Sequence, residues 1–147
     1  MSKEYVDEVT GELVTVEDVN IASDGALIVS TFGRTVAESK DAYNAVNNSE
    51  YLHEGMVDVP LEVMNVILER GTRRSRETGA DVPCVNSYLV TSDGKSYFTQ
   101  SSGIARGLAS IARLVPDFKD AEGSPIKIAI RAKKLNNGNV LKVVEWL

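Results

Sequence analysis

The chain has 147 residues, of which 43% are hydrophobic, so it is long enough to form one domain around a hydrophobic core. Its single cysteine, Cys84, excludes a disulfide framework and indicates a reducing compartment. The polar, acidic N-terminus and the absence of an apolar run of ~20 residues predict a cytoplasmic protein with neither a signal peptide nor a membrane span.

The net charge of −5 hides a strong asymmetry along the chain. Residues 1–69 contain three basic and fourteen acidic residues, a net charge of −11, whereas residues 70–147 contain thirteen basic and seven acidic residues, a net charge of +6. This asymmetry indicates that only the second half contacts a polyanion such as nucleic acid.

Residues 1–50 are predicted to form an acidic N-terminal extension. Short apolar runs after glycine turns predict two strands that pair as a hairpin, at residues 12–16 and 26–32. The spacing of Val36, Tyr43 and Val46 among charged residues then predicts an amphipathic helix over residues 35–47.

A long strand is predicted to follow this extension. The apolar residues between Met56 and Leu68 alternate with a slip of phase after Val63, which indicates a β-bulge that bends the strand. A helix over residues 61–70 is the alternative interpretation. Residues 70–81 lack periodicity and contain two glycines and four arginines, so they are predicted to form a mobile basic loop.

The most regular stretch predicts a β-hairpin that leads directly into a helix. Alternation from Cys84 to Val90, a turn at residues 92–94 and the composition of residues 96–99 are typical of two paired strands. In the second of these strands, Phe98 is assigned to the core and Tyr97 to the outer face. Serine N-caps then begin a helix whose apolar residues follow at helical spacing until Pro116: Ile104, Leu108, Ile111 and Val115.

Two further strands complete the predicted pattern. Residues 125–133 alternate strictly, with Ile126, Ile128 and Ile130 on one face. An Asn-rich turn at residues 136–139 leads to the last strand, in which Leu141 and Val143 are assigned to the core.

Five strands with one helix between the third and the fourth are the order of an OB-fold, a partly open Greek-key barrel. We therefore predict a mainly β protein in which residues 56–147 form a five-stranded OB-fold barrel. The two loops with which this fold surrounds its ligand correspond to residues 70–81 and 133–139, and both are basic.

Basic loops beside aromatic strands predict an interface for a single nucleic-acid strand, which offers regular phosphate charges and unstacked bases. The predicted phosphate contacts are Arg70, Arg73, Arg74, Arg76, Lys95, Lys127, Arg131, Lys133 and Lys134, with Lys142 as a further residue of the groove wall. The predicted stacking residues are Tyr88 and Tyr97, on the outward face of the hairpin together with Lys95, and Trp146 on the last strand.

The sequence contains no pattern typical of catalysis, of a metal site or of cofactor binding. It has no Walker loop and no Gly-x-Ser-x-Gly motif. Its one histidine, His53, has no cysteine or carboxylate at ligand spacing and is predicted to be an exposed loop residue. The chain is therefore expected to be a binding protein and not an enzyme.

Residues 82–147 resemble the small single-stranded-DNA-binding proteins of tailed phages. The resemblance rests on the strand Asn86-Ser-Tyr-Leu-Val, the turn and strand from Asp93 to Gln100, the serine-capped helix and the final strand after Asn-Asn-Gly-Asn. It implies coating of exposed single strands during phage DNA replication or recombination, in the cytoplasm of a bacterial host. It also implies that Tyr97 and the loop arginines contact the ligand.

Two other functions are compatible with this sequence pattern. One is an RNA-binding OB-fold module, which would prefer ribo-oligomers through contacts to the 2′-hydroxyl group. The other is a non-catalytic protein-assembly module, in which the charge asymmetry drives head-to-tail association. The acidic extension is expected to mediate homo-oligomerisation, to recruit replication proteins or to compete with DNA for the basic groove.

Overall fold

A computed structural model shows a mainly β protein whose main sheet curls into a half-barrel, with two helices. It describes residues 4–6, 13–15, 27–75, 78–136 and 138–147. The strands are β1 (Glu4–Val6), β2 (Leu13–Thr15), β3 (Leu27–Ser30), β4 (Glu50–Tyr51), β5 (Leu61–Arg74), β6 (Asp81–Thr91), β7 (Ser96–Thr99), β8 (Ile126–Lys134) and β9 (Val140–Trp146). The helices are α1 (Val36–Asn47) and α2 (Ser102–Leu114), and a short 3-10 helix covers Glu54–Met56.

The main sheet has the order β4-β7-β6-β5-β8-β9, and β5 is its longest strand. One edge of β5 pairs with β6 along almost the whole strand. The other edge pairs first with β8, at residues 61–63, and then with β3, at residues 67–69. The short β4 runs parallel to β7, while the other neighbours in the sheet are antiparallel.

The predicted order of five strands with a helix between the third and the fourth is confirmed by β5, β6, β7, α2, β8 and β9. The predicted bulge is also confirmed, because the register of β5 against β6 shifts between Val63 and Asn65. The alternative helix over residues 61–70 is therefore wrong. Pro60, which has no N–H to donate to a ladder, immediately precedes β5.

The N-terminal hairpin that we predicted is wrong in its pairing. β2 pairs with β1, and β3 pairs with β5 instead of β2. A strand pattern shows that a segment is extended but not which edge it joins, and β3 gains a contact between Val29 and the core by joining β5. Residues 12 and 16–26 of that predicted hairpin lie outside the described ranges.

The predicted helix at residues 35–47 is confirmed as α1. The Thr35 hydroxyl accepts a hydrogen bond from the Glu38 N–H at 3.1 Å, which caps the helix. The Ser96 hydroxyl of β7 donates to the Ala45 carbonyl at 2.7 Å and so attaches α1 to the sheet. The division into residues 1–50 and 56–147 stays a prediction, although β3, α1 and β4 all contact the strands of the second unit.

The predicted mobile loop at residues 70–81 is wrong in its extent, because residues 70–74 belong to β5 and pair with residues 81–85 of β6. We call these two paired segments the basic arm. Only residues 75–80 connect them. Cys84 and Val85 at the inner end of the arm are buried, but its other residues are exposed or half-buried, so they show no regular apolar alternation.

The core lies between the sheet and α2. Ile104, Leu108 and Ile111 of α2 pack in one cluster with apolar residues of β5, β6 and β8, among them Leu68, Leu89 and Ile128. The Ser101 hydroxyl accepts a hydrogen bond from the Ile104 N–H, as expected for the predicted serine cap.

Two glycines allow α2 to lie directly on β9. A Cβ atom at Gly103 would come within 1.9 Å of the Lys142 carbonyl oxygen, and one at Gly107 would come within 2.7 Å of the Val144 Cβ. Val144 therefore packs against the core, and the assignment of Leu141 and Val143 to the core is wrong. In the part of the chain that is described, no helix is long and apolar enough to cross a membrane.

Candidate nucleic-acid interface

Strand register gives the sheet two distinct faces at β5, β6 and β7. The inner face, which contacts α2, includes Leu68 and Leu89, and Tyr97 pairs with Leu89. The outer face includes Tyr88, which pairs with Phe98. The assignment of Phe98 to the core and Tyr97 to the outer face is therefore wrong, because alternation separates two faces but does not show which of them α2 covers.

Three aromatic rings form a row on the outer face, which we call the aromatic row. The ring centroids of Tyr51 and Phe98 are 5.5 Å apart with an interplanar angle of 66°, and those of Tyr88 and Phe98 are 5.2 Å apart at 38°. Tyr51 is 77% exposed, Phe98 is half-buried and Tyr88 is only 8% exposed. The rings of Tyr51 and Phe98 are thus accessible to a ligand, while the buried ring of Tyr88 packs against Phe98.

Tyr88 is fixed by a carboxylate on the neighbouring strand. Its hydroxyl donates to Glu69 Oε1 at 3.2 Å. Burial, followed by the Glu69 charge and this hydrogen bond, raises the pKa of Tyr88 to about 12, because each disfavours the phenolate. The predicted role of Tyr88 as a stacking residue is difficult to reconcile with so buried a ring, and its position fits a supporting role.

Beside the aromatic row lies a pair of amide side chains, which we call the amide pair. Gln100 Nε2 donates to Asn86 Oδ1 at 3.0 Å, so the pair bridges the end of β7 and β6. Asn86 lies across Gly71 of β5, where a Cβ atom would come within 2.4 Å of Asn86 Nδ2. Gly71 therefore permits a flat polar surface next to the rings.

The basic arm continues two of these strands, β5 and β6. Arg73 lies on the outer-face side of β5, two residues beyond Gly71, whereas Arg70 and Arg74 lie on the opposite side. Arg70 and Arg74 are exposed and Arg73 is half-buried. Arg76 lies outside the described residues. The arm thus places guanidinium groups on both sides of a ribbon that continues from the aromatic row.

Three of the six predicted cations outside the arm are engaged by carboxylates. Arg131 contacts Asp58 at 3.0 Å and Glu145 at 2.7 Å, and these hydrogen bonds raise the pKa of its guanidinium above the ordinary value. Among the described residues, Lys142 also pairs with Glu54 at 3.2 Å, and Lys127 pairs with Glu62 at 4.0 Å. A phosphate group would have to displace these carboxylates.

Two further predicted contacts, Lys133 and Lys134, lie at the end of β8. β8 pairs with β5 only at residues 61–63 and then runs past the start of β5, so Lys133 and Lys134 lie beyond one end of β5 while Arg74 lies at the other. β5 has 14 residues, which corresponds to about 45 Å of contour length. The arrangement of the two predicted ligand loops around one groove stays a prediction.

Trp146 and Lys95 each line a separate cleft. Trp146 is 45% exposed and borders a cleft of about 520 Å³ together with Glu62, Asp120 and Lys127. Lys95 is exposed and borders a cleft of about 580 Å³ between α1 and the β6–β7 turn. Neither residue belongs to the aromatic row.

No family model, no curated protein and no solved structure matches the chain. The resemblance to phage single-stranded-DNA-binding proteins therefore stays a prediction.

Other site chemistry finds no support in the described residues. They contain no group of three His, Cys, Asp or Glu side chains that could hold a metal ion. His53 is exposed and Cys84 is buried, as the sequence predicts.

Sequence reasoning missed Tyr51, Asn86 and Gln100 as residues of this face. Tyr51 reaches it because β4 pairs with β7 in parallel, a pairing of two residues that leaves no periodic signal. Asn86 and Gln100 could have been found from the hairpin register, which places residues 86, 88, 98 and 100 on one face once the turn is fixed.

Proposed function

We propose that the protein binds single-stranded DNA, with tolerance of sequence, on the outer face of β5, β6 and β7. The observation that carries this proposal is the aromatic row, in which the exposed Tyr51 and the half-buried Phe98 form one row with Tyr88 of β6, the strand that continues into the basic arm. Unpaired bases stack on such rings, and each stacked base contributes about 1–3 kcal/mol.

The division of roles follows from the chemistry of the strand. Tyr51 and Phe98 stack bases on the outer face, Arg73 contacts phosphates on the same side of the arm, and Arg70 and Arg74 contact phosphates where the strand passes round the arm. Stacking tolerates any base because every base has a π face, and phosphate contacts carry no sequence information. The site therefore coats a strand instead of reading one sequence.

The strand connections support an OB-type barrel as the framework for this role. β5 pairs with β6 and β8, β6 with β7, and β8 with β9, while α2 follows the third strand. In such a barrel the outer surface of the second and third strands binds oligonucleotides, and here these strands are β6 and β7.

The biological setting that we propose is DNA replication or recombination, as the resemblance to phage proteins implies. The opposite charges of the two halves of the chain support a second role for residues 1–50, in recruiting replication proteins or in self-association.

A titration with labelled oligo-dT, oligo-U and duplex DNA at several salt concentrations tests the proposal. Fluorescence anisotropy should show tighter binding to oligo-dT than to duplex. The three described arginines of the arm predict a log–log salt slope of about −2, at ~0.7 ions released per contact. Preference for oligo-U would indicate an RNA-binding module, and absence of salt-sensitive binding would favour the assembly module.

A matched pair of tyrosine variants locates the interface. Tyr51→Ala should weaken oligo-dT binding by about 1–3 kcal/mol, because it removes a stacking ring. Tyr43→Ala is the control, since Tyr43 is 68% exposed on α1 and lies outside the aromatic row. Equal affinities of the two variants would contradict the assignment of this face.

A further inference from the structure

The amide pair and the aromatic row are adjacent on the outer face, and their combination suggests more than sequence-tolerant stacking. We propose that Gln100 contacts the edge of a base stacked on Phe98 and Tyr51, and so favours bases with an exocyclic amino group, cytosine and adenine. This inference rests on the proposed single-strand binding and adds a base preference to it.

The spacing of the two groups suits a single base. Gln100 lies one residue beyond the end of β7 and two residues after Phe98, so continuation of the strand places the two side chains on the same face about 7 Å apart. The hydrogen bond from Gln100 to Asn86 shows that Gln100 continues the outer face beyond β7. A base whose ring covers Phe98 therefore directs an edge toward Gln100.

The hydrogen bonds of Gln100 decide what it can recognise. Its Nε2 group donates to Asn86 Oδ1 at 3.0 Å and lies 3.5 Å from the Thr72 carbonyl oxygen, so the donors are directed into the protein. Its carbonyl oxygen, Oε1, accepts no hydrogen bond from the described residues. An amide with engaged donors presents only an acceptor to a ligand.

An acceptor at this position distinguishes bases by one exocyclic group. Cytosine and adenine carry an amino group that donates, whereas uracil and thymine carry a carbonyl oxygen at the corresponding position. Two facing carbonyl oxygens repel each other, and an unmet acceptor loses its hydrogen bond to water. The base edge that carries this exocyclic group is free to contact Gln100 only in an unpaired base, which adds to the preference for single strands.

The amide is held in place before the ligand arrives. Gln100 is half-buried, and its partner Asn86 is packed across Gly71. A side chain that is already ordered loses less conformational entropy on binding than a free glutamine does. A single neutral hydrogen bond then corresponds to a preference of about 2- to 10-fold in affinity.

The test compares oligo-dC with oligo-dU of equal length above pH 7.5, because these bases differ in hydrogen bonding and not in size. The wild-type protein should bind oligo-dC about 2- to 10-fold more tightly. In Gln100→Met the preference should disappear, because the hydrogen bond to oligo-dC is lost and the repulsion of oligo-dU is relieved, and an unchanged circular-dichroism spectrum shows that the variant is folded. The control Asn44→Ala, on α1, should keep the preference.

The outcomes separate this inference from the proposed function. Equal binding of oligo-dC and oligo-dU by the wild type, weakened in both by Tyr51→Ala, would overturn the base preference and leave single-strand binding intact. A preference for oligo-dC that survives in Gln100→Met would overturn the role of Gln100. Absence of binding to either oligonucleotide would overturn both proposals.

Discussion

At the scale of single residues, Phe98 on the outer face packs against a buried tyrosine, Tyr88. The Tyr88 hydroxyl donates to Glu69 on the neighbouring strand. A buried phenol keeps its proton because the phenolate would be both desolvated and close to a carboxylate. Tyr88 thus links the position of Phe98 to a group whose protonation can be measured.

The raised pKa of Tyr88 predicts a dependence of stability on alkaline pH. Since the pKa is about 12 in the folded protein and about 10 in the unfolded chain, the folded state binds more protons between these values. The stabilisation is complete below pH 10 and is lost as the pH rises toward 12. Urea unfolding at pH 9.5 and 11.5 should show a smaller loss of stability for Tyr88→Phe than for the wild type. Identical losses in the two proteins would contradict the buried position of Tyr88.

At the scale of elements, β5 and β6 form one long ribbon whose halves have different roles. The half near the bulge belongs to the core, with Val66 and Leu89 fully buried, and the far half is the basic arm. The bulge after Val63 bends β5, so that one strand can pair with β8 near its start and with β3 further along.

A comparison of two arginine variants tests the role of the basic arm. Arg74→Ala should weaken binding to oligo-dT and make the log–log salt slope less steep by about 0.7, because one phosphate contact is lost. Arg113→Ala should change neither quantity, since Arg113 is an exposed arginine in the last turn of α2. Titrations of both variants from 50 to 200 mM salt check this prediction. A similar change of slope in both variants would indicate general attraction instead of a contact at the arm.

The elements were largely predictable from the sequence, whereas their faces and partners were not. The period-2 pattern of Ile126, Ile128 and Ile130 and the helical spacing of α2 are local signals, and the structure confirms both. The pairing of β3 with β5 and the inward face of Tyr97 depend on distant segments. A local pattern carries no information about such long-range choices.

At the scale of the whole molecule, the sequence shows the charge asymmetry but does not show which opposite charges of the two halves pair with each other. Two carboxylates of the acidic half, Glu54 and Asp58, contact Lys142 and Arg131 of the basic half. Intramolecular neutralisation of this kind cannot be inferred from counts of charged residues. The proposed phosphate contacts of the arm lie at the other end of β5.

The central claim, that a single strand stacks on the outer face, is tested most directly by photo-crosslinking. An oligo-dT that carries 5-iododeoxyuridine, irradiated in complex with the protein and analysed by mass spectrometry, reports which aromatic side chains contact a base. We expect crosslinks at Tyr51 and Phe98, which are lost on competition with unlabelled oligo-dT. Crosslinks confined to Tyr97, Trp146 or Tyr43 would contradict the account.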